Sequence, residues 1–582
     1  MHIGDVRQAP VTAPTVTLCL DSKGALRAAF MEAKTTEKLA DDDKRWSKAV
    51  SGVVAAVLMS VPLLVILLGG RSIGAPGVWI QTAMAGLRQG SSDHSLLHSS
   101  SSHHDRLYGG LLIEGFNVQS CHSRYQSAMY RRTAGRRPSP YLVSKLRRHE
   151  ALQRRCGPGT AAYSNALEQL RSGKSVASPE CSYLVSISYR GLGNRLLAAA
   201  SAFLYALLTD RVLLVDPSNA MDELFCEPFL GATWLLPPGF PLTNYTNFDI
   251  DTAERYGNMV KNDVFGSDAT DASTAVQQVP AFAYVHLNYD ATLEDKYFFC
   301  DDDQRQLRRV QWLVMRMDNY IVPGLFLVPA FQDELDTMFP EPDTVFHHLG
   351  RYLFHPSNHV WGLVARYYHT YLASAKKRVG IQVRIYGALP DSPALLEQIT
   401  TCTQKERLLP EILAEREPTI SPDPGAKSIA VIVTSLKSCY SDELKRVYWE
   451  HATATGEAVS VHQPSHEEYQ RSGATSHESK AWAEMYLLSL TDVLVTSSMS
   501  TFGYVAQGLG GVRPWLLYKP ANSSAPADPP CGRDVSMEPC YFKPLSYDCR
   551  RQKQWVDPST VVPHVQGCHD AGWGVKLVGR SR

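Results

Sequence analysis

Ser182-Tyr-Leu-Val-Ser-Ile-Ser188 leads through Tyr189-Arg-Gly-Leu-Gly-Asn-Arg195 into Leu196-Leu-Ala-Ala-Ala-Ser-Ala-Phe-Leu-Tyr-Ala-Leu-Leu208 and on to Arg211-Val-Leu-Leu-Val215. The first and last pieces are short apolar runs of strand length. The middle piece is a long apolar helix, and Gly191 to Asn194 make the tight turn before it. A strand, helix, strand unit of this kind builds a parallel sheet covered by helices, and ligands gather at the carboxyl ends of its strands. A second series begins at Lys377: Arg378–Tyr386, Ile429–Thr434, Ala458–His462, Asp492–Thr496 and Trp515–Tyr518 read as strands. Asp442–Glu450, Ser479–Leu490 and Thr501–Leu509 read as helices between them. The expectation is therefore an α/β protein with two parallel-sheet halves, 181–375 and 376–582.

The remainder of the 582 residues has a different character. Ala49–Gly70 is an uncharged run bounded by Lys48 and Arg71, and about 20 helical residues cross a bilayer core. Lys44, Arg45 and Lys48 precede it and only Arg71 closely follows, which leaves the N-terminus cytosolic. The segments are then a cytosolic tail (1–48), a transmembrane anchor (49–70) and a stem (71–180) that carries a serine and histidine tract, Ser91–Ser102, and many arginines. A short helix near Tyr141–Glu150 is the most this stem is expected to form.

Lys plus Arg (58) equals Asp plus Glu (58), a balance that argues against nucleic acid as the main partner. Hydrophobic residues at 44% predict a packed, enzyme-sized body. Eleven of the 12 cysteines follow the apolar run, and Asn244-Tyr-Thr246 and Asn522-Ser-Ser524 are glycosylation acceptors. Cys531, Cys540, Cys549 and Cys568 read as disulfide partners, because the chain has no C-x-x-C zinc pair. Their connectivity stays open. The odd lumenal count leaves at least one thiol free or paired between chains, so a homodimer stays open as well.

Three constellations carry candidate chemistry. The Gly191–Arg195 turn, with Gly193, Asn194 and Arg195, puts backbone N–H groups and fixed charge at a helix N-terminus, where anions bind. Thr496-Ser-Ser-Met-Ser-Thr-Phe-Gly503 repeats that arrangement in the second half, unless Ser500 or Thr501 merely caps the helix. Arg384 sits in an apolar strand, where a guanidinium must be paired or serve a phosphate. Asp318 and Asp570 are candidate partners or bases. Asp301–Asp303 reads as a helix cap in preference to a metal cluster, and His347, His348, His355 and His359 as packing residues. Without G-x-x-x-x-G-K-[ST] or H-E-x-x-H, and with G-x-S-x-G only at Gly70-Arg-Ser-Ile-Gly74 beside the apolar run, nucleotide and serine or zinc hydrolysis lose their usual support.

Gly191-Leu-Gly-Asn-Arg195, Cys226-Glu-Pro-Phe229, Asp318-Asn-Tyr320, Gly380-Ile-Gln-Val-Arg384, Ser500-Thr-Phe-Gly503, Met537-Glu-Pro-Cys540 and Trp573-Gly-Val-Lys-Leu-Val578 occur in an order that resembles the plant xyloglucan-type fucosyltransferase family. The likeness covers nearly all of Cys181–Val578. It implies a GT-B-like enzyme, two Rossmann-like domains facing a cleft, anchored as a single-pass type II protein of the Golgi membrane. It also implies inverting, metal-independent transfer of L-fucose from GDP-fucose to a galactose 2-hydroxyl on a cell-wall polysaccharide or glycoprotein glycan, with no cofactor. On this resemblance Gly193, Asn194, Arg195, Arg384, Ser500, Thr501, Phe502 and Asp570 serve the donor, Arg384 at its diphosphate. Asp318 is the candidate base. Competing readings are a transferase for another GDP- or UDP-sugar, a silent glycan-binding membrane protein, and a dinucleotide oxidoreductase. The sequence leaves the family pattern after Arg384, where Tyr386-Gly-Ala-Leu-Pro390 follows, and at Met499; both departures bear on the acceptor.

Overall fold

The computed structural model describes residues 105–580 apart from 133–135, 174–178, 266–278, 386–391, 414–427, 521–524, 543, 545–548 and 550–556. The tail, the apolar run, the serine and histidine tract and Asn522 lie outside the described residues.

From Asp105 onward the chain forms one compact unit. This corrects the stem, whose second part is folded. Helix α1, Pro140–Cys156, starts at Ser139, whose hydroxyl accepts the Leu142 N–H at 3.0 Å, and α2 spans Ala161–Ser172. Leu142, Leu146 and Cys156 on α1 are fully buried. Disulfides Cys121–Cys226 and Cys156–Cys181 staple this region to the first sheet. Its many arginines conceal the burial because their partners are remote in sequence: Arg131, for example, donates to the Ser489 carbonyl at 3.0 Å.

The first half then runs β1 (Tyr183–Ile187), α3 (Leu192–Thr209), β2 (Val212–Val215), β3 (Phe282–His286) and β4 (Trp312–Arg316). The sheet is parallel, with order β2-β1-β4-β3. Continuous apolar strands are expected where helices cover both faces, and β1 and β2 are buried at every position. Among the described residues α3 is long and apolar enough to cross a membrane, yet it is 89% buried and serves as the core helix. Fully buried Arg211 fastens the strand bases by donating to the carbonyls of Gln311, Leu307 and Val310 at 3.0, 2.8 and 2.8 Å.

After helix α4 (Val345–Leu353) the second half runs β5 (Lys377–Gln382), α5 (Pro393–Lys405), β6 (Ser428–Thr434), α6 (Cys439–Glu450), β7 (Ala458–His462), α7 (Thr475–Leu488), β8 (Val493–Ser497), α8 (Thr501–Gly510), β9 (Trp515–Leu517) and β10 (Cys531–Arg533). The sheet order is β10-β9-β8-β5-β6-β7, parallel except for β10. Every strand expected in this half is present within a few residues.

One hydrophobic core joins the halves, containing Leu204 of α3, Phe346 of α4 and Tyr504 and Leu509 of α8. Gly508 is required at that junction, since a Cβ there would lie 2.4 Å from the Phe346 ring. His347 Nδ1 meets the Gly508 carbonyl at 2.8 Å, and Arg351 Nε donates to the Leu509 carbonyl at 2.9 Å. Three of the four histidines are thus packing residues: His347, His348 and His355 are buried, and burial pulls the His348 imidazole down to about 3, whereas His359 is exposed and does not pack as expected. Asp301–Asp303 form the first turn of a helix spanning Asp301–Arg309, where acids favour the helix dipole as expected, although Cys300 and not an aspartate holds the cap position. Asp301 accepts the Ala330 N–H at 3.0 Å and Asp303 the Tyr256 hydroxyl at 2.5 Å.

The four clustered cysteines are all disulfide-bonded, as Cys402–Cys531, Cys540–Cys568 and Cys300–Cys549. Among the described residues Cys439 is the thiol outside the disulfides.

Candidate active site

The carboxyl ends of β1, β5, β6 and β8 open into one cavity of about 780 Å³, lined by both halves. The first half contributes Tyr189–Asn194, Tyr289 and Asn319. The second contributes the ends of β5 and β6, a face of α7, the start of α8, Phe542 and Trp573.

Two helix N-termini, those of α3 and α8, meet at its floor. Gly193 lets them touch, because a Cβ at that position would stand 2.8 Å from the Thr501 carbonyl carbon and its Oγ1. Asn194 ties them together: its Nδ2 donates to the Asp318 carbonyl at 2.8 Å and its Oδ1 accepts the Thr501 hydroxyl at 2.9 Å. Ser500 occupies the cap position of α8 but does not cap it. Its Oγ is buried, lines the cavity and has no hydrogen-bond partner. A hydroxyl held this way at a helix N-terminus, where partial positive charge collects, is suited to an anion.

Arg384 lies two residues beyond β5, exposed at the cavity, so it is not the buried strand charge the sequence suggested. Its N–H donates to Ser497 Oγ at 2.9 Å and Nη1 to Gln470 Oε1 at 3.3 Å. Phe502 also lines the cavity.

Three expected residues stand behind the wall instead of in it. Arg195 is 3% exposed; its Nη2 lies 2.7 Å from Glu478 Oε2, and Nη1 donates to the Asn219 carbonyl at 2.6 Å. Burial pulls its guanidinium below the usual range, opposed by Glu478. It fixes α7 against the Gly191 turn. Asp318 is buried, with one oxygen accepting the Ser188 hydroxyl at 2.6 Å and the other 3.6 Å from Arg190 Nε. Asp570 accepts the Met499 N–H at 2.8 Å and the Tyr504 hydroxyl at 2.6 Å. It thereby holds Met499 in a left-handed conformation (φ 57) just before Ser500. Asp570 also approaches Cys540 and Cys568, but those sulfurs are bonded to each other.

Sequence reasoning missed several lining groups. Gln382 Oε1, Thr434 Oγ1 and Asn319 Nδ2 are buried and lack hydrogen-bond partners, and all three residues face the cavity. Gln382 and Thr434 each end an apolar strand at the edge where ligands gather, which was the signal available for them. Tyr289 and Trp573 add exposed rings at the mouth, 47% and 62% accessible.

A sequence model described as xyloglucan fucosyltransferase matches residues 82–550. The chain belongs to the xyloglucan fucosyltransferase family. It is 53% identical over 478 residues to a galactoside 2-alpha-L-fucosyltransferase of Arabidopsis thaliana, covering 81% of this chain and 83% of that protein. Identity to the protein of the same name from Pisum sativum is 51% over 477 residues, covering 81% and 82%. Among solved structures, a mutant of Arabidopsis thaliana FUT1 in complex with GDP superposes with a TM-score of 0.74 at 52% identity, covering 81% of this chain and all of that one. This chain is accordingly a fucosyltransferase, and the cavity between its sheets is the place where its chemistry must be sought.

Proposed function

We propose that this fucosyltransferase moves L-fucose from GDP-fucose to the 2-hydroxyl of a galactose residue on xyloglucan or a related cell-wall glycan, with inversion, on a GT-B arrangement of its two halves. The observation that carries the reading is the anion site at the floor of the cavity, made of the α8 N-terminus, the unpartnered Ser500 hydroxyl and the exposed Arg384. The relatives' names supply the sugar and the linkage, and FUT1 was solved with GDP.

The mechanism follows from where charge develops. As the bond from the fucose anomeric carbon to the β-phosphate breaks, negative charge builds on the departing diphosphate. Arg384, Ser500 Oγ and the first N–H groups of α8 are already in position to receive it, so no reorganisation is required as the charge appears. The leaving group's charge is then taken up by the protein itself, and we propose that transfer proceeds without a metal ion. The acceptor oxygen attacks from the opposite face and must shed its proton. Asp318 remains our candidate base, reaching the cavity past Arg190 and Ser188 once the acceptor displaces Arg190. The acceptor chain runs out over the exposed rings of Tyr289 and Trp573.

We also place the catalytic body in the Golgi lumen, tethered by residues 49–70. An oxidising compartment suits five disulfides among the described residues and an exposed Asn244 in its acceptor sequon. The test is transfer by the purified enzyme, assayed in EDTA, from labelled GDP-fucose and a panel of UDP-sugars to xyloglucan and to arabinogalactan. Fucose transfer to xyloglucan is expected. Activity confined to UDP-sugars, or abolished by EDTA and restored by a divalent cation, would overturn the corresponding part of the reading.

A further inference from the structure

A loop of the second half reaches the first half at the cavity. Residues 463–474 join β7 to α7, and the loop is fixed at both ends. At its start Gln463 Nε2 donates to the carbonyls of Ser435 and Ser465 at 2.9 Å each, and Lys437 Nζ lies 2.6 Å from Glu468 Oε2. At its end the Gly473 N–H donates at 3.1 Å to Glu478 Oε1, on the acid that also holds Arg195 of the first half. Glu468 (φ 64) and Gly473 (φ 83) are both left-handed, so the chain turns sharply at each. Between them Gln470 and Ser472 line the cavity, while the Tyr469 ring is turned to solvent, 68% exposed.

Gln470 joins the halves beside the anion site. Its Oε1 accepts from Arg384 Nη1 at 3.3 Å, and its Nε2 donates to Ser472 Oγ at 3.1 Å. The amide cannot be reversed without loss, because a guanidinium only donates and must face the oxygen. The Nε2 end leans on the Gly191 turn. A Cβ on Gly191 would meet two atoms, 2.8 and 3.9 Å away, and both belong to the Gln470 amide. Gly191 itself has φ −55 and ψ 158, a conformation open to any residue, so its backbone does not demand glycine. Its missing side chain makes room for Gln470.

Arg384 reaches the cavity on a long, exposed side chain, and such a side chain gives up rotamer freedom when it closes on an anion. A contact that already holds the guanidinium removes part of that cost before the ligand arrives. A guanidinium carries five N–H donors and Gln470 takes one, so Gln470 and a diphosphate can be held together. We propose that Gln470 is a positioning residue for the transfer reaction: seated on Gly191 of the first half, it holds Arg384 of the second half toward the diphosphate. This rests on the donor assignment above. The glycine of the turn then serves an arginine on the opposite side of the cavity, and Gln470 is the link between them.

The experiment combines calorimetric binding of GDP with initial rates of fucose transfer by the full-length enzyme. Two variants approach the link from opposite sides: Gln470→Met keeps the length and loses the acceptor, and Gly191→Ala pushes the Gln470 amide away from its seat. In each, Kd for GDP and KM for GDP-fucose are expected to rise about tenfold, the scale of one hydrogen bond to a charged group. The cost is met on binding, so kcat stays within about twofold. Tm holds, because the methyl added at Gly191 meets only the end of a flexible side chain. The two substitutions together weaken binding no more than either alone, and neither has a further effect in an Arg384→Ala background. Unchanged GDP affinity in Gln470→Met, additive losses in the double variant, or a loss that persists beside Arg384→Ala would overturn the assignment. Failure of wild type to bind GDP would instead overturn the donor reading on which it rests.

Discussion

Asn194 and Arg195 are consecutive, yet Asn194 faces the cavity and bridges to Thr501 while Arg195 turns back into a buried pair with Glu478. Neighbours on a helix point about 100° apart, and a motif read as a string cannot say which of them meets the ligand. The same limit applies to Asp318-Asn319, where the amide lines the cavity and the acid lies behind it. Residue types and neighbourhoods were thus legible in the sequence, and side-chain directions were not. Asp318→Asn separates the two roles left to this acid. If it takes the acceptor proton, kcat falls by about a hundredfold or more while GDP affinity holds in a binding assay. An unchanged kcat would leave Asp318 only the task of holding Ser188 and Arg190.

The strands of the second half could be read because buried parallel strands are continuous apolar runs, and β6 and β7 fall where the pattern put them. Strands β3 and β4 escaped because β3 carries His286 and β4 ends in Arg316, polar groups that the fold satisfies: Asp290, four residues on, meets His286 at 2.8 Å, and the Phe248 carbonyl, remote in sequence, accepts from Arg316 at 2.6 Å. Helix α1 was legible over Tyr141–Glu150, but its extension to Cys156 and its buried stripe were not, because the sequence is rich in arginine. Helix α8 has two tasks at once: its first turn meets the cavity and its last turn packs on α4 of the other half. Any push on its start therefore disturbs both. Gly193→Ala drives a methyl into Thr501 backbone atoms, and overpacking of this kind costs about 1 to 3 kcal/mol. A lower Tm together with a raised KM for GDP-fucose is expected, measured by thermal unfolding and initial rates. A loss of Tm alone would show that the contact is structural and does not set the donor site.

At the scale of the whole molecule, the shared core is pinned by a fully buried acid. Glu538 accepts the Tyr320 hydroxyl at 2.6 Å and the Phe346 N–H at 2.7 Å, and burial lifts its carboxyl from an ordinary 4.5 up to about 8. Between those values the folded chain keeps a proton that the unfolded chain gives up. This contribution to stability is therefore complete below about pH 4.5 and is lost as pH rises toward 8. Thermal unfolding from pH 5 to 8 is expected to show a Tm that declines more steeply in wild type than in Glu538→Gln; parallel curves would sink the idea. The Cys300–Cys549 disulfide, 249 residues apart in sequence, joins the first half to the segment after the second sheet. Topologically the entire second sheet is a closed ring and not a bead on a string. A single backbone cut anywhere between these cysteines leaves one covalent species, so a full-length band on a non-reducing gel does not show that the chain is uncut.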